Sequence, residues 1–213
     1  MFDLGTDSLG RDLFGVLLQS LATSVVLGLT VAFAVAFFLV VALIWRTRKS
    51  YHSVFSALML IDNIIPKYLL LLLFVTLFKQ SGFIGFALIL SMFFAVSSVT
   101  QLLSFLNASY SEELEMNHIS SGLKNHVLVF YELFPLSKVL FFQNIAASFI
   151  QSMILESVLT YLGVGLEFGT PSLGFLLTDG IQSINRNPIE FTVSLIGIVF
   201  FSLLASRIIN KDN

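Results

Sequence analysis

The sequence predicts an all-α integral membrane protein with about five spanning helices. Of its 213 residues, 56% are hydrophobic and only 11% are charged, whereas soluble domains carry about 25% charged residues. The apolar residues also form five runs long enough to cross a bilayer, which takes about 20 residues. A soluble enzyme, a nucleic-acid binder and a disordered chain are therefore excluded. The runs lack the period-two alternation of an outer-membrane barrel.

The five predicted spans differ in the ionisable residues that they contain. They are residues 21–45, 54–78, 83–106, 139–162 and 189–209. The second contains Asp62 and Lys67 around Pro66, and the fourth contains Glu156. A charge at membrane depth costs ~2.5–3.5 kcal/mol on insertion scales, so it usually faces a cavity, a partner or another helix. Asp62 and Lys67 lie roughly 140° apart on a straight helix and do not readily pair. We favour an interfacial position for Asp62 over a pathway role.

Positive charge in the loops predicts the orientation of the chain. Seven Lys and Arg residues follow the odd-numbered spans, and three lie on the opposite side. The seven are Arg46, Arg48, Lys49, Lys124, Lys138, Arg207 and Lys211, and the three are Arg11, Lys79 and Arg186. This distribution places the N-terminus outside and the C-terminus in the cytoplasm. Residues 12–20 are mildly amphipathic and are expected to lie along the outer interface before the chain enters the bilayer.

The longest polar interruption is the cytoplasmic loop 107–138. Ser109 and Glu112 fit the capping box of a short helix, and Gly122 is suited to end that helix. A second helix is predicted to follow and to end at Pro135, with its apolar residues at helical spacing. The loop is therefore predicted as two short amphipathic helices at the membrane face. It is either a plain connector or a contact for a soluble partner.

Three segments resemble the permease subunits of ABC importers. Gly122 and Pro135 have the spacing of the EAA motif, although the Glu-Ala-Ala residues themselves are replaced. Residues 4–12 resemble the Leu-Gly-Thr-Asp-x-x-Gly-Arg-Asp signature of the dipeptide, oligopeptide and nickel importers, and residues 156–174 resemble a second signature of that family. The candidate site residues are Met116, Asn117, His118, Gly122 and Pro135 for ATPase coupling, Gly5, Thr6, Asp7, Gly10, Arg11 and Asp12 in the first outer signature, and Gly163, Gly165, Pro171 and Gly174 in the outer loop.

The resemblance implies the C-type permease subunit of a type I ABC importer in a bacterial plasma membrane. The implied partners are a second permease, two ATP-binding cassette ATPases and an external substrate-binding protein. The sequence has no GxxxxGK[ST] loop, so this chain is not expected to bind or hydrolyse ATP. Its three His residues belong to no recognisable nucleophile or metal set, so it is not expected to be an enzyme or to bind a metal or another cofactor. The family's first helix has no counterpart before residues 4–12: it is expected to be absent, to be lost through a shortened start, or to be supplied by another chain. The chain then divides into an outer segment, 1–20, and a permease domain, 21–213, with an outer loop at 163–188.

The fourth predicted span has a polar stripe at helical spacing. Its members are Asn144, Ser148, Gln151, Ser152 and Glu156. Such a stripe faces protein or water rather than lipid. It indicates either part of a translocation pathway or helix–helix contact, and the sequence leaves both open. The glycines of the outer segments indicate either a structured outer rim on which the binding protein docks or ordinary loops in which glycine lets the chain turn.

Peptides, nickel or a related small solute all fit the resemblance, and two other functions are also considered. A permease-fold structural subunit with weakened ATPase coupling would explain the replaced EAA residues and the missing helix. A stand-alone channel or secondary transporter would predict inverted repeats or broken helices with paired charges, and the sequence has no convincing repeat. A nucleic-acid partner is not expected, because the net charge is −2.

Gly122 provides a test of the coupling assignment. Gly122→Val should impair ATPase docking or transport while the protein still inserts into the membrane, because a β-branched side chain resists the left-handed backbone of a helix end. The measurements are membrane insertion, ATPase co-purification and solute uptake. Transport at the normal rate by the variant would contradict the assignment.

Overall fold

The computed structural model describes an all-α membrane protein over residues 6, 10–47, 51–64, 67–77, 82–109, 125–166, 170–184 and 188–209. Its α-helices, in chain order, are α1 (Leu13–Arg46), α2 (Tyr51–Ile64), α3 (Lys67–Leu77), α4 (Gly82–Ser109), α5 (Asn125–Leu128), α6 (Phe134–Tyr161), α7 (Leu173–Gln182) and α8 (Pro188–Ile209). A π-helical turn, Val129–Leu133, joins α5 to α6.

Three helical stretches in the described part of the chain are long and apolar enough to cross a membrane. They are Leu13–Arg46, Gly82–Ser109 and Val129–Tyr161, with 34, 28 and 33 residues. They contain the first, third and fourth predicted spans. The second predicted span corresponds to α2 and α3, between which residues 65 and 66 lie outside the described part, and the fifth corresponds to α8.

The prediction of a separate interfacial segment at residues 12–20 was wrong. Helix α1 begins at Leu13 and continues without interruption to Arg46. Asp12 caps it, because its side chain accepts a hydrogen bond of 3.0 Å from the backbone N–H of Gly15. No proline interrupts the run, and Leu13 and Val16 are buried in one cluster with Leu176 of α7. The first turns of α1 therefore pack against protein.

The prediction that Pro135 ends a helix was also wrong, because the π turn continues directly into α6. The backbone N–H of Phe134 donates to the carbonyl of Val129, five residues earlier. A proline lacks an N–H and collides with the carbonyl four residues before it; the wider π turn changes that spacing and lets the helix proceed. Ser109, expected to cap a loop helix, is instead the last residue of α4. Residues 110–124 lie outside the described part.

Helix α1 is the central element, and it packs against both α4 and α6. Its buried face contains Leu27, Val31, Val35 and Leu39, which recur every four residues. The opposite face is also apolar, and Phe33 there is 74% exposed. A helix that is apolar all round suits a membrane, where one face meets protein and the other lipid.

Gly28 is a point of close approach between α1 and α6. A Cβ atom there would lie 2.9 Å from two ring carbons of Phe149 and 3.0 Å from its carbonyl oxygen. Small residues at such contacts bring membrane helices close enough for extensive van der Waals packing. In contrast, among the described residues a Cβ at Gly197 of α8 would meet only Leu173, at an ordinary 3.5 Å.

These two glycines allow a matched test of helix packing. Gly28→Ala should destabilise the protein by about 1–3 kcal/mol, because the new methyl group overpacks the α1–α6 contact. Gly197→Ala should be neutral or slightly stabilising, since alanine is the better helix former. Thermal unfolding of both purified variants in mild detergent measures the difference. Equal unfolding temperatures would show that α1 and α6 do not approach as described.

Candidate functional site

A cavity of about 410 Å³ lies between α3, α4 and α6. Its lining residues on α4 and α6 lie near the middle of each helix and therefore at membrane depth. The lining consists of Tyr68 from α3, of Phe93, Phe94, Ser97, Ser98 and Gln101 from α4, and of Leu140, Gln143, Asn144, Ala147, Ser148 and Gln151 from α6. These polar groups are amides and hydroxyls. Lipid does not solvate such groups, so this face is suited to water, solute or another protein.

The polar wall of the cavity follows from helical spacing. Asn144, Ser148 and Gln151 follow one another at separations of four and three residues and share one side of α6, next to Gln143. The Asn144 amide donates to the carbonyl of Leu140 at 3.0 Å. The Ser148 hydroxyl donates to a carbonyl of its own helix at 2.8 Å. These bonds orient both side chains without a partner helix.

The predicted polar stripe divides into two parts in the structure. Asn144, Ser148 and Gln151 line the cavity. Ser152 and Glu156 do not, and both are fully buried. The pathway interpretation therefore fits the first three residues, and the helix-packing interpretation fits the last two.

Glu156 is the centre of a buried hydrogen-bonded cluster that joins α1, α6 and α7. Ser24 of α1 donates to its carboxylate at 3.2 Å, and Thr160 donates to the other oxygen at 3.0 Å. The hydroxyl of Ser172, at the start of α7, lies near this carboxylate. The Ser24 hydroxyl in turn accepts the backbone N–H of Leu173 at 3.1 Å. We call Ser24, Glu156, Thr160 and Ser172 the Glu156 cluster.

The outer-loop residues have structural roles around this cluster. Gly163 has a φ of +76° and follows the C-cap of α6, where its N–H donates to Thr160 and the next N–H donates to Leu159. A Cβ at Gly165 would collide with the backbone of Thr160, and one at Gly174 would lie 2.8 Å from the Cα of Ser157. These glycines therefore permit close packing in addition to turning the chain.

Pro171 of the outer loop directly precedes the residue that caps α7. It lies, partly buried, just before Ser172, whose side chain accepts the backbone N–H of Phe175 at 3.1 Å and so caps α7.

The first outer signature meets the second one. The Arg11 guanidinium lies 5.3 Å from the ring centroid of Phe175 on α7. Thr6 pairs with Asp12 in an isolated bridge, and Gly10 has a φ of +77°. Two segments more than 150 residues apart in sequence thus form one end of the molecule. Gly5 and Asp7 lie outside the described residues.

Of the predicted coupling residues, the structure describes only Pro135. It lies in the first turn of α6, directly after the π turn. Met116, Asn117, His118 and Gly122 lie outside the described residues. Phe130 and Tyr131 of the π turn, a few residues after this region, are large and exposed side chains.

Sequence reasoning missed a joint, built on the buried side chains of Arg46 and Tyr51, at the same end of the molecule as the π turn. The Arg46 guanidinium lies 4.8 Å from the ring centroid of Tyr51, and the Tyr51 hydroxyl donates to the side-chain oxygen of Asn107 at 2.9 Å. The joint links α1, α2 and α4, and Tyr51 belongs to the same core as Val129. Nothing in the spacing of these three residues indicates that they meet.

Two further features of the site were also not predicted. Asp62, expected at the interface, accepts a hydrogen bond of 3.1 Å from Thr100 of α4. The α4 wall of the cavity carried a signal that sequence analysis overlooked, because Ser97, Ser98 and Gln101 are polar residues at helical spacing in an uncharged span.

The comparisons with known proteins agree with the resemblance stated from the motifs. No protein-family model matches the chain. It is 26% identical over 182 residues to the oligopeptide transport system permease protein OppC of Lactococcus lactis subsp. cremoris strain SK11, with the same figures for OppC of subsp. lactis strain IL1403. These alignments cover 83% of this chain but 60% of the relatives' length. It is also 25% identical to the peptide transport system permease protein SapC of Haemophilus influenzae strain KW20 Rd, over 99% of this chain and 71% of SapC. The predicted similarity to peptide-transport permeases is therefore confirmed.

The Glu156 cluster can be tested through Ser24. Ser24→Ala removes both the donor to Glu156 and the acceptor of the Leu173 N–H, and a buried group left unsatisfied costs about 1–3 kcal/mol. The variant should unfold at lower temperature and exchange the amide hydrogens at the start of α7 faster. Thr30→Ala is the control, because the Thr30 hydroxyl bonds only to a carbonyl of its own helix in the structure. Equal behaviour of the two variants would contradict the role of the cluster.

Proposed function

We propose that this chain is the transmembrane permease subunit of an ATP-driven importer of peptides, paired with a second permease that completes the substrate pathway. The similarity to OppC and SapC supports a peptide-transport role. The single observation that carries the proposal is the cavity lined by amides and hydroxyls in the middle of the membrane helices. Such a lining is costly unless a solute, water or a partner protein occupies it.

The chemistry of the lining favours a peptide over a bare nickel ion. Gln101, Gln143, Asn144 and Gln151 offer amide groups, which both donate and accept hydrogen bonds as a peptide backbone does. Nickel prefers imidazole nitrogen and related ligands, and none of the lining residues is of that type. We therefore place peptides ahead of nickel as the solute.

Energy is proposed to come from two separate ATP-binding cassette ATPases that contact the loop 107–138. The apolar core around the Arg46–Tyr51–Asn107 joint gives a physical route by which ATPase motion would reach the membrane helices. Leu128, Val129 and Leu133 share one apolar core with Tyr51 and with Leu106 of α4. A displacement of the segment that contains the π turn would therefore move α4 as a packed unit, because close-packed interiors transmit strain.

We infer an orientation with the loop 107–138 in the cytoplasm of a bacterial plasma membrane. The excess of Lys and Arg on that side supports it. The joined outer signatures and α7 would then face the outside, where a substrate-binding protein delivers the peptide. Labelling of single introduced cysteines in intact cells measures this orientation.

Purification of the tagged chain in mild detergent tests the proposed assembly. A second permease and an ATPase should accompany the chain, and the reconstituted complex should take up peptide only when ATP is supplied. Purification of the chain alone would favour a channel or a secondary transporter. Assembly without transport-linked ATP hydrolysis would favour a structural subunit.

The role of the cavity can be tested through one of its amides. Gln151→Leu should reduce peptide uptake by up to about tenfold, because a hydrogen bond to the passing solute contributes about 0.5–1.5 kcal/mol. Gln19→Leu is the control, since Gln19 is exposed on α1 outside the cavity lining. Uptake is measured in proteoliposomes at equal amounts of assembled complex. Equal uptake by the two variants would remove the cavity from the pathway.

A further inference from the structure

Part of the cavity wall is aromatic, in addition to the amides and hydroxyls described above. The rings of Tyr68 and Phe93 lie 5.8 Å apart at an angle of 48°, and Phe93 meets Phe94 edge to face at 5.2 Å. These residues belong to α3 and α4, whereas most of the amides belong to α6. The cavity therefore combines an aromatic patch from α3 and α4 with hydrogen-bonding groups from α4 and α6.

The aromatic wall is not simply part of the apolar core. Phe94 is buried and belongs to that core, but the Tyr68 side chain is 71% exposed. Its ring partner, Phe93, packs against that core but is itself only partly buried. Rings that line a cavity without being enclosed can offer their faces or edges to a ligand, and aromatic pairs contribute attraction beyond the area that they bury.

We propose that Tyr68 and Phe93 form a stacking subsite for an apolar, above all aromatic, side chain of the transported peptide, while the α6 amides hold the peptide backbone. This inference rests on the proposed function and adds to it a preference among peptides. A pocket that combines apolar surface with a few placed polar groups selects ligands in this way. The volume of about 410 Å³ lies within the range of about 300–1,000 Å³ that small-ligand pockets occupy.

Competing uptake of two matched peptides tests the subsite. Wild-type complex in proteoliposomes, supplied with its binding protein and ATP, is given labelled Ala-Phe-Ala or Ala-Ala-Ala. Tyr68→Leu and Phe93→Leu remove the aromatic ring but keep an apolar side chain of moderate size. Each should lower uptake of Ala-Phe-Ala by about three- to tenfold and leave uptake of Ala-Ala-Ala unchanged. Because every variant is measured with the same binding protein, the selectivity of that protein cancels in the comparison with wild type.

Two control variants separate stacking from a structural role. Tyr68→Phe keeps the ring and should behave as wild type. Tyr161→Leu removes an exposed ring at the far end of α6, outside the cavity lining, and should also leave the ratio unchanged. Uptake is again compared at equal amounts of assembled complex, so that a variant with reduced expression is still informative.

The outcomes distinguish this inference from the proposed function. Equal losses for both peptides, or no loss in either leucine variant, would overturn the stacking subsite while peptide transport stands. Failure of the wild-type complex to transport either peptide with ATP would overturn the proposed function, and the subsite with it.

Discussion

Polar groups inside a bilayer must find partners within the protein, and the arrangement of this chain depends on that constraint. At one end of the molecule, the Glu156 carboxylate is fully buried and accepts hydrogen bonds from Ser24 and Thr160. In the middle, amide and hydroxyl side chains surround a cavity. Elsewhere, hydroxyls such as that of Ser91 bond to carbonyls of their own helix. The hydrogen bonds of Glu156 fix helices to one another, and the cavity lining leaves space between helices. Hydrogen bonds within a helix allow a polar residue in an otherwise apolar helix.

The cavity therefore lies between two packed ends. The Glu156 cluster and the Arg11–Phe175 contact hold α1, α6 and α7 together at one end. The Arg46–Tyr51–Asn107 joint holds α1, α2 and α4 together at the other, close in the core to the π turn. In the proposed importer, this division suits a subunit that moves as packed bodies around a solute site. Rigid ends transmit displacement, whereas the less densely filled middle accommodates solute.

Several features of the fold were accessible from local sequence rules. The long apolar runs of α1, α4 and α6 were predicted because membrane spans need only length and hydrophobicity. The two wrong predictions applied a local sequence rule at positions where the surrounding structure changes the outcome. Pro135 was expected to stop a helix, but the π turn before it changes the backbone spacing. Residues 12–20 were expected to lie on the membrane, but Leu13 and Val16 pack against Leu176 of α7, which is distant in sequence.

Composition and motifs were enough to show that the chain is helical, that it resides in a membrane and that it is similar to peptide-transport permeases. Helical periodicity was enough to identify the residues of the polar stripe of α6. Helix packing, which no local pattern encodes, places Asn144, Ser148 and Gln151 at a cavity and Glu156 at the junction of three helices. One stripe can contact two neighbouring helices, and the residues that it meets there come from distant parts of the chain. The meeting of Tyr68 with Phe93 was undetermined for the same reason, because ring contacts depend on how helices pack.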